Sequence, residues 1–370
     1  MPGSSAAALP WADPQRPAQG GVVARGRSAL LCLLLCVPVA SCSQGGAESR
    51  LSDYLQRLAR PLDARVEGPQ SQPGATPPRA ESLQIPLEGN SLDGLDFLRL
   101  RGCALQTTVA RRNSSLGRVA PPSQRLLLEL AFLRDAPDCI ATLREEGNDA
   151  LAGLLEEGAT SKRAQLPALI FNATLGSREY RDFWRLRGAL GEYPARTSSA
   201  VISALERVTA DARRWLGGDY RADDSRLELA LSEIARGDGG ELLASLLLQS
   251  AYLGNANTLI DESVAGGPLC ERDLQPAAAP ILRNVARKYF VARIQPWSAA
   301  LNQRYHALLT PVTELELLLE HTFPADYRRW QQQRDALFED TLAAPARHVR
   351  RLQSLLGTCY AEFRKSQGAD

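Results

Sequence analysis

Val201-Ile202-Ser203-Ala204-Leu205-Glu206-Arg207-Val208-Thr209-Ala210-Asp211-Ala212-Arg213-Arg214-Trp215-Leu216-Gly217-Gly218 is the stretch on which the fold class turns. Val201, Leu205, Val208, Ala212 and Trp215 recur at offsets of 4, 3, 4 and 3, which is the spacing of one face of an α-helix. Gly217-Gly218 then closes the pattern, because glycine accepts the left-handed backbone that ends a helix. Working outward, helical patterns are read from Asp224 to Ala235, from Glu241 to Val264 and from Ala277 to Gln295. Pro296, Pro311, Pro324 and Pro345 are placed at the starts or kinks of four more segments. Toward the N-terminus, Asn113-Ser114-Ser115 is a break and cap, and Pro121-Pro122-Ser123 opens the next helix. That helix carries Leu126, Leu127, Leu130 and Leu133 on one side and Leu128 and Phe132 on the other, a pattern expected at the centre of a body. A first helix begins near Glu48, with Leu51, Tyr54, Leu55 and Leu58 on one face, and Pro61 ends it. The one candidate strand is Ser82 to Leu87. No repeat of 30–50 residues is visible, which disfavours a solenoid. The expected fold is all-α: an irregular multi-helix bundle, one domain, preceded by a lipoprotein signal peptide.

The signal is read from an apolar run, Ala29 to Ala40, that follows Arg25 and Arg27 and ends in Val39-Ala40-Ser41-Cys42. Its 12 residues fall short of the ~20 that cross a bilayer. Small residues just before a cysteine resemble a bacterial lipobox, with cleavage before Cys42 and diacylglycerol plus an N-acyl chain added there. At about 0.8 kcal/mol per buried methylene, two or three chains make a lasting anchor. An ordinary secretory signal cut near Ala40 is the competing reading. The stretch before Arg25 is long for a leader, and a start at Val22 or Val23 would shorten it. Residue 43 is Ser; in bacterial lipoproteins Asp there favours the inner membrane, so the resemblance implies the outer membrane and its periplasmic face. The chain divides into signal peptide 1–41, lipidated tether and first helix 42–67, Pro-rich connector 68–90 and helical body 91–370. Ser43 to Gly46 spans at most ~14 Å, so the body is expected close to the membrane. The connector reads as extended and poorly packed.

Without residues 1–41 the chain keeps 329 residues, 40 basic and 41 acidic side chains. That balance argues against a nucleic-acid partner, since phosphate binding needs a basic excess. Four cysteines remain besides Cys42, namely Cys103, Cys139, Cys270 and Cys359. An even number in an exported chain suggests two disulfides. Of three pairings, Cys103–Cys139 and Cys270–Cys359 close the shorter loops and are favoured, each contributing about 3–4 kcal/mol. No C-x-x-C pair exists outside the leader to suggest zinc, and no cofactor beyond the lipid on Cys42 is expected.

Catalytic patterns are missing from the mature sequence: no H-E-x-x-H, G-x-S-x-G, G-x-x-x-x-G-K-[ST], G-x-G-x-x-G or S-x-x-K occurs. His306, His321 and His348 are the only histidines, and none pairs with another on one helix face. Asp223-Asp224, Glu145-Glu146 and Glu156-Glu157 could serve acid–base chemistry, but adjacent helical residues diverge by about 100° and read as solvated. Arg213-Arg214, Arg328-Arg329 and Arg350-Arg351 read as surface pairs.

One segment stands apart. Arg111-Arg112-Asn113-Ser114-Ser115-Leu116-Gly117-Arg118-Val119 and Ser123-Gln124-Arg125-Leu126 are dense in polar residues of defined geometry. With Gly102-Cys103-Ala104-Leu105-Gln106, Gln295-Pro296-Trp297, Leu301-Asn302-Gln303-Arg304-Tyr305 and Leu355-Leu356-Gly357-Thr358-Cys359, this resembles an uncharacterised family of proteobacterial lipoproteins, domain of unknown function 3080 (DUF3080). The resemblance implies placement and no activity. Arg112, Asn113, Ser114, Ser115, Gly117, Arg118, Ser123 and Arg125 either line a binding groove or cap a helix and fix a turn pinned by a bridge to Cys139; the structural role is preferred. The expected function is a non-enzymatic lipoprotein, membrane-bound through its lipid, that binds or supports an envelope protein or polymer. The alternatives are an envelope hydrolase or transferase without a recognisable motif, or an assembly factor.

Overall fold

The computed structural model describes residues 46–69, 73–87, 100, 102–188, 190–266 and 278–367, with side chains of the last helix to Gly357. The signal and Cys42 lie outside the described residues. The described residues contain helices and no strand, and all belong to one compact unit, Ser43–Asp370. Every buried hydrophobic side chain described falls between Ala47 and Leu355, so this unit contains its own core.

The order is α1 (Ala47–Ala59), α2 (Ala80–Leu83), α3 (Ala104–Asn113), α4 (Ser115–Arg118), α5 (Pro122–Glu145), α6 (Asp149–Ala173), α7 (Arg178–Phe183), α8 (Ala200–Leu216), α9 (Asp224–Ala235), α10 (Gly239–Ala265), α11 (Ala278–Val285), a π-helical segment (Ala286–Ile294), α12 (Gln295–Leu319) and α13 (Ala325–Gln367). The α8 stripe buries all five of its periodic residues. Among the described residues three helices are capped by side chains: Ser177 accepts from Tyr180 N, Asp223 from Arg226 N and Ser114 from Gly117 N. Two pairings dominate the packing, α5 with α6 and α10 with α13, and α1 lies across α10.

Four expectations change. Ser82–Leu87 is not a strand: α2 takes Ala80–Leu83 and Gln84–Leu87 runs extended. The described part of the connector, 68–69 and 73–87, is fastened to the body at two points rather than left unattached. Trp330 Nε1 donates to Ala75 O at 3.2 Å, Asn172 Oδ1 accepts from Ile85 N at 2.8 Å, and Asn172 Nδ2 donates to Ile85 O at 2.9 Å. Such bonds satisfy backbone groups that have no ladder partner. Pro296 and Pro324 stand at helix starts, but Pro311 and Pro345 lie inside α12 and α13, so two long helices replace four segments. Finally, α5 is enclosed on both sides only over its first half. Beyond Leu133 one face, with Arg134, Pro137, Asp138 and Ala141, meets solvent.

Candidate functional site

The signature segment folds into a corner between α3, α4 and α5. Ser114 Oγ donates to Arg111 O at 2.7 Å and accepts from Gly117 N at 3.0 Å, which turns the chain between α3 and α4. Gly117 is required there, because a Cβ would lie 2.1 Å from Arg111 O. Arg112 reaches Glu129 at 2.5 Å on α5, and Lys162 of α6 pairs with the same carboxylate. Burial would push the Glu129 carboxyl up, but Lys162 and Arg112 outweigh it and hold it below the usual range. Ser123 donates to Glu228 at 2.7 Å, tying α5 to α9. Arg125 is half-buried near Lys162. Asn113, Ser115 and Arg118 are exposed, and Arg118 makes no ion pair among the described residues. The same corner leaves Leu116 80% and Val119 78% exposed. The eight residues therefore do not converge on one groove.

Cys103 and Cys139 are joined, with Sγ atoms 2.12 Å apart. The bridge precedes α3 and so clamps the end opposite the turn, which corrects the expectation that it pins Asn113–Ser115. Cys270 and the side chain of Cys359 lie outside the described residues.

A second ionic centre is enclosed completely. Glu316 is 2% and Arg334 1% exposed. Arg334 meets the carboxylate through two bonds of 2.7 and 2.9 Å. Tyr180, Tyr327 and Gln331 donate to it at 3.1, 2.7 and 2.9 Å. The guanidinium lies 5.0 Å from the ring centres of both Trp184 and Trp330. Burial raises the Glu316 carboxyl, and Arg334 with the other donors reverses this, so the group stays ionised. A carboxylate with five donors has no lone pair left to take a substrate proton.

Two further networks tie loops to helices. Arg304 forks onto Asp238 at 2.9 and 2.5 Å while Tyr193 donates to the same carboxylate at 2.8 Å. His348, fully buried, donates from Nδ1 to Asn257 Oδ1 at 2.7 Å, leaving Nε2 to accept from Tyr54 at 2.6 Å. Burial lowers the imidazole to about 3 and raises the Tyr54 phenol, so both are neutral near pH 7. Asn257 is the outer end of this relay. It lines a cavity of about 890 Å³, with Asp63, Glu67, Glu262 and the paired Asp340 and Arg347. This polar cleft between the end of α1, α10 and α13 is the candidate recognition site.

The sequence reading missed Glu129, Glu316, Arg334 and the His348 relay. The signal for the two carboxylates was present: Glu129 interrupts Leu126-Leu127-Leu128 and Leu130, and Glu316 interrupts Leu315 and Leu317-Leu318-Leu319. A lone charge inside an apolar helical face must be paired to be buried. Their partners come from distant sequence and could not be assigned.

Among the described residues no group of three or more His, Cys, Asp or Glu is placed to hold a metal ion, and no helix is long and apolar enough to cross a membrane. No curated protein and no solved structure matches the chain. A family model described as protein of unknown function (DUF3080) matches residues 51–362, from the middle of α1 to the last turns of α13. The span takes in both ionic centres and the cleft, and the chain belongs to the DUF3080 family.

Proposed function

We propose that this chain is a periplasm-facing, outer-membrane-anchored lipoprotein whose helical body is a non-enzymatic module that binds or supports an envelope component. The observation that carries the reading is the pairing of the enclosed charged side chains. Glu129, Arg304, Glu316, Arg334 and His348, the enclosed charged and imidazole side chains described, are each bonded to another part of the fold. Groups that serve chemistry at neutral pH need an open position and a pKa near the working range. Here these five groups are clamped within the core. The rival reading, an envelope hydrolase or transferase, would place its acid and base in the cleft, whose walls carry mainly amides, hydroxyls and charged rim residues. The anchor rests on Val39-Ala40-Ser41-Cys42 and the arginines before it.

The test is fractionation of cells expressing the full chain beside its Cys42→Ser variant. The expected result is the parent chain in washed outer membranes and the variant in the soluble periplasmic fraction. A variant that stays with washed membranes overturns the placement.

A further inference from the structure

A second depression, about 770 Å³, lies between the start of α10, the chain after α7 and the connector strap at Gly74–Pro77. Its wall is built by close backbone approach. A Cβ on Gly240 would sit 2.4–2.6 Å from the backbone of Arg185 and Leu186, and one on Gly239 would strike Phe183 and Trp184. Gly74 of the strap approaches Leu247, which a Cβ there would touch at 3.6 Å. The groove so formed is lined by Leu186, Leu190, Leu243, Leu247 and Leu248. Leu186 is 50% exposed, and Leu190, Leu247 and Leu248 are half-buried, so an apolar channel stands open.

The polar groups on this channel are not balanced. Arg181 and Arg185 line it against a single carboxylate, Glu48, which is already engaged by Tyr252. Arg185 makes only a 3.6 Å pair with Asp182 at the exposed rim. Arg181 makes no ion pair among the described residues, so its charge stands on the channel wall; its Nε, like Nε1 of Trp184 on the same wall, is enclosed without an acceptor among them. A leucine-lined channel with an unpaired guanidinium on its wall has the chemistry of a fatty-acid site.

We infer that this groove binds a single-chain anionic amphiphile, a long-chain carboxylate, with its tail along Leu186, Leu243 and Leu247 and its head on Arg181. This deepens the reading of the body as a binding module, and it stands or falls independently of the lipid on Cys42.

The experiment uses residues 43–370, the compact unit that contains its own core, titrated calorimetrically with dodecanoate below its micelle concentration. Hexanoate tests the tail, and dodecyltrimethylammonium tests the head. Saturable one-to-one binding of dodecanoate is expected, with neither control binding measurably. Arg181→Gln should weaken dodecanoate about tenfold, since one charge-assisted contact is lost. Leu247→Glu, which puts a charge in the channel, should abolish binding. Leu186→Asp at the more exposed rim serves the same purpose should Leu247→Glu not fold. No saturable binding overturns the proposal, as does binding that neither channel variant alters. An undiminished affinity in Arg181→Gln, or equal binding of the cationic chain, overturns the assignment of the head group. Membrane release of Cys42→Ser would leave this outcome untouched, and failed dodecanoate binding would leave the anchor untouched.

Discussion

Glu316 and Glu129 are both carboxylates set in leucine-rich helices, and both are 2–3% exposed, yet they are built differently. Glu316 is closed in by α7, α12 and α13, with two tyrosines, a glutamine and a forked arginine whose side chain is 1% exposed. Glu129 has two cations, Lys162 with 11% and Arg112 with 25% of the side chain exposed, at the edge where the signature corner meets solvent. The first joins distant parts of the fold in a site that water cannot repair. The second fastens α3 to the α5–α6 pair, and water can stand in for part of it. Similar chemistry therefore carries different weight, because desolvation scales the cost of losing a partner.

The largest expected effect breaks the inner centre. Arg334→Leu leaves Glu316 enclosed without its counter-charge, at a cost of about 3–5 kcal/mol in unfolding free energy. Urea denaturation of residues 43–370 measures this, and a loss under about 1 kcal/mol would show that the centre relaxes or hydrates.

Acidification comes next. The native carboxyls of Glu316 and Glu129 are held below their unfolded value of about 4.3, so their contribution is complete above it and is lost as pH falls through the native pKa. His348 acts over a higher range. Its unfolded form takes a proton below about 6.5, whereas the buried ring resists protonation until about 3. Stability should therefore fall on acidification from about 6.5 toward 3, with His348 approaching about 1.4 kcal/mol per pH unit. His348→Gln should be less stable at pH 7, with a flatter profile between about pH 6.5 and 4.5. Parallel profiles for the two proteins would remove His348 as the cause.

Arg112→Gln probes the outer centre. Lys162 still faces Glu129, so a loss of about 1 kcal/mol is expected. A loss matching that of Arg334→Leu would erase the contrast between the two sites. Smallest of all is Leu116→Ser, where an 80% exposed side chain leaves solvent for solvent, and stability should change by less than about 0.5 kcal/mol.

How much of this was legible depends on range. The α8 stripe and the Asp224–Ala235 helix follow from residues three and four apart, and the structure places them with those periodic residues buried. Gly217-Gly218 ends α8 as expected, whereas proline was a weaker guide. Pro311 and Pro345 sit inside α12 and α13, held there by neighbouring helices. The signature segment was legible as a corner and its partners were not: Glu129 lies 17 residues from Arg112, and Lys162 another 33 away. Arg334 reaches Tyr180 across 154 positions, and His348 reaches Tyr54 across 294. No local pattern encodes such separations. They arise because burying a polar group forces it to find whatever the topology brings near.

The connector strap, fastened at Ala75 by Trp330 and at Ile85 by Asn172, leaves Arg65 to Gly68 exposed just before it. Upstream, α1 is locked in by Tyr54 against His348 and Phe290, and by Leu51, Leu55 and Leu58 in the core. A protease that nicked the backbone after Arg65 would therefore sever the peptide without separating the pieces. The two fragments would travel as one particle until denatured, and the anchor proposed at Cys42 would still hold both.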